Sequence, residues 1–185
     1  MFRLIITLTI SLLAYISTSY ASDNIELVVL RSEHKLLVQQ DGIILRSFKV
    51  ALGSAGKKSK LQAGDRATPL GEYRISMMRD SDRFHQFLQI DYPNVNDALR
   101  ALKNNLISRE EYNAILDAHI YGKIPPQHTA LGGSIGIHGI GVETKDKLEI
   151  HQISDWTQGC IAMRNDEIEQ LKRYISVGTK IKIMQ

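Results

Sequence analysis

From residue 25 onward, turn signals divide the chain into short segments rich in β-branched and other apolar residues, and this pattern constrains the fold more than any other feature of the sequence. Asp41-Gly42, a dipeptide typical of tight hairpin turns, separates two of these segments. We predict strands over 25–30, 35–39, 43–51, 72–77, 87–91, 135–138, 159–163 and 179–184. The fold class that follows is mainly β.

The middle of the chain carries helical signals instead. Residues 96–103 suit a short helix, and Ser108 with Glu111 three positions later forms a capping box that begins a second helix, predicted to run to residue 120. Pro125-Pro126 prevents its continuation. We predict that residues 96–127 form a helical insertion in the β domain and not a separate domain.

After the strand at 135–138, we predict a loop that runs to about Trp156. Asn165 is then suited to cap a C-terminal helix, because acidic residues follow it in the first turn, where the helix dipole favours them. Ile168, Leu171 and Ile175 recur at helical spacing and predict the buried face of this helix.

The first 21 residues are typical of a secretory signal peptide. An apolar run of about 13 residues follows Arg3, which is shorter than the ~20 residues that span a membrane. Ser19-Tyr20-Ala21 resembles a cleavage site. We therefore predict a signal peptide over 1–21, a domain over 22–185, export to the periplasm or cell wall, and no stable membrane anchor after cleavage. An uncleaved anchor is the alternative.

The overall charge excludes one class of partner. The formal net charge is only +3 at pH 7, and no basic tract with interleaved aromatic residues is present. Nucleic acid is therefore not a predicted partner.

The only cysteine, Cys160, ends the segment Asp-Trp-Thr-Gln-Gly-Cys at residues 155–160. A thiol becomes a nucleophile at neutral pH when a base activates it, and His138 is the candidate base. The carbonyl of Gly139 is placed to hold the imidazole in one tautomer. Gly159 leaves room for an acyl group and backbone N–H groups for an oxyanion. Taken singly, a histidine at the end of a strand and a cysteine among apolar residues are more often structural.

The combination resembles a known family. Residues 155–165, preceded about 20 residues earlier by Ile137-His138-Gly139, resemble the YkuD-type L,D-transpeptidases, in the branch with Asp-Trp-Thr before Gly-Cys and Ile-Ala after it. Similar segments lie at 50–53, 67–73, 90–94 and 177–179. The resemblance implies a YkuD-like β-sandwich and does not cover the helical insertion at 96–127. We predict that the helical pair 96–120 forms a flap near the active site. The resemblance implies no metal and no cofactor.

The resemblance also implies a reaction. Cys160 would attack a carbonyl at the L-centre of a diaminopimelate-type residue in a peptidoglycan stem peptide, and His138 would move the proton. The resulting thioester would pass to an acceptor. An amine of another stem gives a cross-link, a lysine of a wall-anchored lipoprotein gives anchoring, and water makes the enzyme a peptidoglycan or lipoprotein–peptidoglycan hydrolase.

Further residues are expected to bind substrate or the oxyanion. Gly159, Thr157 and Trp156 belong to the motif, and Trp156 is expected to pack beside the thiol. Two positions depart from the commoner family pattern, because Gln158 replaces a histidine and Ala162 replaces an arginine. Arg164, or alternatively Arg66, is therefore the expected group that holds the substrate carboxylate.

Three other functions are less consistent with these residues. A zinc hydrolase with His138, His151 and Cys160 as ligands lacks a compact metal motif, and His151 is better explained as a solvated loop residue. A papain-like or NlpC-type peptidase would have its cysteine before its histidine, which is the reverse of the order here. A non-catalytic wall-binding domain would not need both residues.

Overall fold

The computed structural model describes residues 24–185; the predicted signal peptide at 1–21 lies outside the described residues. The strands are β1 (Ile25–Leu30), β2 (Lys35–Gln40), β3 (Ile43–Lys49), β4 (Gly71–Ser81), β5 (His85–Ile90), β6 (Gly136–Gly139), β7 (Ile161–Met163) and β8 (Lys180–Met184). The α-helices are α1 (Val95–Lys103), α2 (Arg109–Ile120), α3 (Lys145–Ile153) and α4 (Asn165–Lys172).

The strands follow the order β3-β2-β1-β8-β4-β5-β6-β7. The first half of β4 pairs with β8 and the second half with β5, with an irregularity between Ile75 and Met77, so this strand belongs to both halves of the sandwich. The halves meet again where Ala51, just after β3, exchanges two backbone hydrogen bonds with Ala162 of β7 (2.9 and 2.8 Å). The prediction of a mainly β sandwich with a helical insertion and a C-terminal helix is confirmed.

The β2–β3 hairpin forms where the turn signal predicted it. Asp41 and Gly42 both have positive φ, 50° and 82°, as a turn that matches the twist of the strands requires. Val38 of β2 and Leu27 of β1 lie fully buried inside the sandwich, together with Ile181 of β8. The alternation of side chains along these strands therefore places one face of the sheet in the core.

The helical insertion has a small core of its own. Ser108 and Glu111 form the predicted capping box at the start of α2, and α1 and α2 enclose an apolar cluster that includes Ala98 and Ile115. Neither helix contributes a lining residue to the pocket that holds Cys160. The pair lies near the active site, as predicted, because Arg100 of α1 donates to the carbonyl of Lys60 (3.1 Å), which lines the pocket. Its role as a flap stays a prediction, and in this state the two helices bury their apolar faces against each other.

Two local predictions need correction. Residues 145–153, predicted as loop, form α3, which begins at the capping residue Thr144 and buries only His151. The apolar residues of α3 make no buried stripe, so periodicity did not reveal it. At α4 the capping position is Arg164 and not Asn165, whose side-chain amide bonds instead to both backbone groups of Gly141.

Within residues 24–185, no helix is long and apolar enough to cross a membrane.

Candidate active site

Two adjacent parallel strands bring the candidate nucleophile and base together. In the β6–β7 ladder Ile137 pairs with Ile161 and His138 pairs with Ala162, so Cys160 lies beside Gly136. Residues two apart in a strand point to the same face, and parallel neighbours are about 4.8 Å apart. The side chains of His138 and Cys160 therefore project into the same space, and both line one pocket of about 550 Å³.

His138 is almost completely buried, with 2% of its surface exposed. Its Nδ1 lies 2.8 Å from the carbonyl oxygen of Gly139. Because a carbonyl only accepts, Nδ1 carries the proton in the neutral ring and Nε2 holds the lone pair that a base needs. Burial lowers the pKa of His138 to about 4, although the Gly139 bond opposes this shift; the positive charge of Arg83 adds to it. The imidazole is neutral at pH 7.

Two aromatic rings hold the imidazole in place. Phe84 packs on it with ring centroids 4.2 Å apart, and Trp156 meets it edge-on at 5.7 Å. Both contacts restrict rotation of the ring, so the lone pair of Nε2 keeps one direction. Phe84 lies in the turn between β4 and β5, 54 residues before His138 in the chain, and no sequence motif marks it.

The thiol of Cys160 is half-buried beside the backbone that precedes β6. Its Sγ lies 3.5 Å from the carbonyl oxygen of Ser134, and the N–H of Gly136 donates to it. Burial raises the pKa of the thiol to about 11; the Gly136 bond and the positive charge of Lys60 act in the opposite direction. The resting pair is therefore a neutral thiol beside a neutral imidazole.

Thr157 closes the turn that presents the thiol. Its hydroxyl donates to the carbonyl of Cys160 (2.6 Å) and accepts from the N–H of Gly159 (3.1 Å). Its own backbone N–H donates to the carbonyl of Leu52 (3.0 Å). One buried hydroxyl thus determines the shape of the turn, and the amide of Gly159 is engaged within the turn in this state.

Gly159 cannot be replaced without strain. Its φ is +123°, which side chains rarely adopt, and a Cβ there would lie 2.8 Å from the carbonyl oxygen of Ala67. The glycine therefore permits close packing of the turn on the segment before β4.

Asp155 anchors the same motif from the opposite side. One of its carboxylate oxygens accepts from the N–H of Leu52 (2.7 Å), and the other lies 3.1 Å from Nε2 of His34. His34 precedes Asp155 by 121 positions, so the sequence offered no local signal for this pair. Three consecutive residues of the motif thus have different partners. Asp155 binds Leu52 and His34, Trp156 contacts the imidazole of His138, and Thr157 stabilises the turn before Cys160.

The prediction that His151 is a solvated loop residue is wrong. His151 lies on α3 with 5% of its surface exposed, and its Nδ1 faces the indole Nε1 of Trp156 at 3.4 Å. Burial lowers its pKa, so it remains a neutral acceptor for the indole N–H. Its role in the site is to orient Trp156. The Thr144 cap followed by Asp146 is the sequence signal that could have revealed the helix.

Three cationic side chains, Lys60, Arg79 and Arg83, line the pocket, and none of the described residues in its lining is acidic. Arg79 and Arg83 lie over the rings of Phe87 and Phe84, at 5.2 and 4.9 Å from the ring centroids. The pocket is therefore suited to a ligand that carries carboxylates.

Lys60 is unusual because its side chain is buried, with 4% exposed. Its Nζ donates to Oδ1 of Asp65 (2.9 Å) and to the carbonyl of Gln62 (3.1 Å), which accounts for two of its three donors. The loop that carries Lys60 is held from below by Arg31, whose guanidinium donates to the carbonyls of Gly56 (2.6 Å) and Lys58 (3.0 Å). No sequence motif marks this lysine.

The two arginines expected to hold the substrate carboxylate lie elsewhere. Arg164 precedes α4, where its Nε pairs with Asp166 at 3.3 Å, and it is not among the residues that line the pocket. Arg66 is not among them either. Among residues 24–185, no group of three or more histidine, cysteine, aspartate or glutamate side chains is arranged to hold a metal ion.

One known protein family matches most of the chain. The YkuD family, described as the L,D-transpeptidase catalytic domain, matches residues 24–183. The chain belongs to the YkuD family. The match covers the β-sandwich and the segments that carry His138 and Cys160. No curated protein is significantly similar to the chain in sequence.

Solved structures share the YkuD fold at low identity. An L,D-transpeptidase from Xylanimonas cellulosilytica has a TM-score of 0.50 at 13% identity, covering 89% of this chain and 62% of its own. The helical cell shape determining protein Pgp2 from Campylobacter jejuni has a TM-score of 0.56 at 17% identity, covering 88% and 48%. Bdellovibrio bacteriovorus Bd1075 has a TM-score of 0.54 at 20% identity, also covering 88% and 48%. The chain spans less than two thirds of the length of these proteins.

Proposed function

We propose that this YkuD domain is an exported peptidoglycan L,D-transpeptidase that acts through a thioester on Cys160. The observation that carries the proposal is the pairing of a half-buried thiol with a neutral, oriented imidazole on adjacent strands, both at the wall of one cation-lined pocket. Membership of the family supports the reaction class.

Acylation requires the proton of Cys160 to leave as the sulfur attacks. Nε2 of His138 accepts this proton, and the new C–S bond forms at the carbonyl carbon of the stem peptide. The C–N bond then breaks, and the same proton passes from His138 to the leaving amine. The amide of Cys160 is the proposed oxyanion donor, since that of Gly159 is bonded to Thr157.

Deacylation reverses the sequence with a new partner. An entering amine gives a proton to Nε2 of His138 and forms a C–N bond as the C–S bond of the thioester breaks, and His138 then returns the proton to the sulfur of Cys160. The entering amine on another stem peptide gives a cross-link, and a lysine of a wall-anchored lipoprotein gives anchoring. If water enters instead, the same steps hydrolyse the bond.

The positive pocket favours stem peptides with free carboxylates. Lys60, Arg79 and Arg83 line the same pocket as the thiol, and a diaminopimelate-containing stem carries carboxylates that these cations can attract. These three residues take the role that the sequence suggested for Arg164.

The test is mass spectrometry of muropeptides from peptidoglycan that bears tetrapeptide stems, and from peptidoglycan that bears attached lipoprotein. We expect new 3–3 dimers with the native enzyme and none with Cys160→Ala. His138→Gln should reduce the rate at least ~10²-fold, the usual contribution of a general base. His128→Gln is the matched control, because His128 is exposed and does not line the pocket.

Released stems or released lipoprotein without new cross-links would show that the enzyme is a hydrolase that uses the same Cys160 chemistry. Products that persist in Cys160→Ala would refute the thioester. Unchanged muropeptides with every enzyme form would favour a non-catalytic wall-binding domain.

A further inference from the structure

A second cleft adjoins the catalytic pocket. It has a volume of about 320 Å³ and is lined by Arg83, Phe84, Ile140, Lys147, Ile150 and Trp156. Arg83, Phe84 and Trp156 line the catalytic pocket as well, whereas Cys160 lines only the pocket. We call this space the side cleft. Its walls are almost entirely apolar, whereas those of the pocket are mixed.

The catalytic base lies against the wall between the two spaces. Phe84 and Trp156, which form that wall, are the two rings nearest to His138, at 4.2 and 5.7 Å between ring centroids, while Phe87 lies at 6.5 Å and lines only the pocket. In the proposed reaction His138 gives a proton to the leaving amine and accepts one from the entering amine. The amine-side part of the substrate must therefore lie next to His138, and the side cleft is the space beyond it.

The side cleft also indicates the chemistry of that part. Ile140 and Ile150 give it an aliphatic floor, while the two aromatic rings form its shared wall. Lys147 and Arg83 are cationic, and within the described residues neither forms an ion pair with an acid. An amine partner with an apolar side chain and a free carboxylate matches both features.

We propose that the side cleft is the amine-side subsite and that it selects an amino acid or peptide end with a bulky apolar side chain and a carboxylate. This inference rests on the proposed function for the identity of the amine side. In this step the amine nitrogen bonds to the acyl carbon as the C–S bond breaks, and a proton of the amine passes through His138 to the departing sulfur, which becomes the thiol again.

Helix α3 provides matched variants. Ile150 lines the side cleft and is 46% exposed, while Ile153 on the same helix is 83% exposed and does not line it. Lys147 lines the side cleft, and Lys145, also exposed on the first turn, does not. Ile150→Ser and Lys147→Gln therefore test the subsite, and Ile153→Ser and Lys145→Gln control for surface changes.

Binding is measured first, without turnover. Trp156 is the only tryptophan of the chain and lines both the side cleft and the pocket, so intrinsic fluorescence reports on binding at either. Ile150 lines only the side cleft, so loss of the signal in Ile150→Ser assigns it to that space. Cys160→Ala protein is titrated with glycine, with phenylalanine in each configuration, and with phenylalaninamide. We expect one configuration of phenylalanine to bind at least about tenfold more tightly than glycine, from burial of its side chain. Phenylalaninamide should bind more weakly, because it lacks the carboxylate.

Turnover is measured second, with tetrapeptide-bearing peptidoglycan and equal concentrations of glycine and phenylalanine. The expected product contains mainly phenylalanine, and Ile150→Ser should bring the ratio of the two products near one. In the titration, Lys147→Gln should reduce the difference in affinity between phenylalanine and phenylalaninamide, because one of the two cations of the side cleft is lost. Both controls should keep the native pattern. Equal effects of Ile150→Ser and Ile153→Ser, or no preference over glycine in either assay, would overturn the proposal. Total Cys160-dependent product, including hydrolysis, reports separately on the proposed function.

Discussion

Thiol titration tests whether Cys160 and His138 rest as a neutral pair or as an ion pair. A cysteine–histidine site rests either as a thiolate–imidazolium ion pair or as a neutral pair. Here burial raises the pKa of the Cys160 thiol to about 11 and lowers that of His138 to about 4. Both groups are neutral between these values, so the proton must move during attack on the substrate and not before it.

The size of the effect follows from the shift in the thiol. Against the ordinary pKa of 9.0, a pKa of about 11 reduces the thiolate fraction at pH 7 about 100-fold, to about one molecule in 10⁴. Because alkylation by a small neutral electrophile proceeds through the thiolate, its rate should fall in proportion.

The assay is alkylation with iodoacetamide from pH 6 to pH 11.5, followed by intact mass. Cys160 is the only cysteine, so each adduct reports on one site. The folded protein should show a rate that is still rising near pH 11, while the protein in concentrated urea should level off above about pH 9, close to its ordinary pKa. The position of the inflection is the readout, since restricted access changes only the absolute rate. A folded-state inflection below pH 7 would refute the neutral pair and would indicate a thiolate–imidazolium site.

Three further predictions concern the surroundings of this pair. Lys60→Met should raise the pKa of the Cys160 thiol further, because a nearby positive charge is lost, and Lys60→Arg should not; a pKa unchanged in Lys60→Met would show that Lys60 is only structural. The free energy of unfolding in urea should fall by about 3 kcal/mol between pH 6.5 and about 4. In this range the imidazole of His138 binds a proton in the unfolded chain but stays neutral in the folded protein, so acid stabilises the unfolded state; the loss should be smaller in His138→Gln. Thr157→Val removes two hydrogen bonds from a buried turn, so it should cost about 1–3 kcal/mol and slow turnover, whereas Thr179→Val, far from the thiol, should leave turnover unchanged.

The candidate site illustrates what a family resemblance can and cannot supply. The motif around Cys160 and the His138-Gly139 pair identified the chain as YkuD-like, and the family match covers these segments. Residues of the site that lie outside the motif were not predicted. Phe84 contacts the imidazole, and Lys60 lies in the same pocket. Neither belongs to a motif, and their chemistry depends on burial, which has no local signal in the chain.

The sequence by itself determined the elements whose stability is local. The Asp41-Gly42 hairpin turn and the capping box of Ser108 depend on residues within four positions of each other, and both form as predicted. Only the tertiary structure decided the rest. Helix α3 has no buried apolar stripe, and the contact of His34 with Asp155 joins positions 121 residues apart. Such contacts exist only because the segment after β3 pairs with β7, through Ala51 and Ala162, and this pairing of distant segments depends on packing of the whole sandwich.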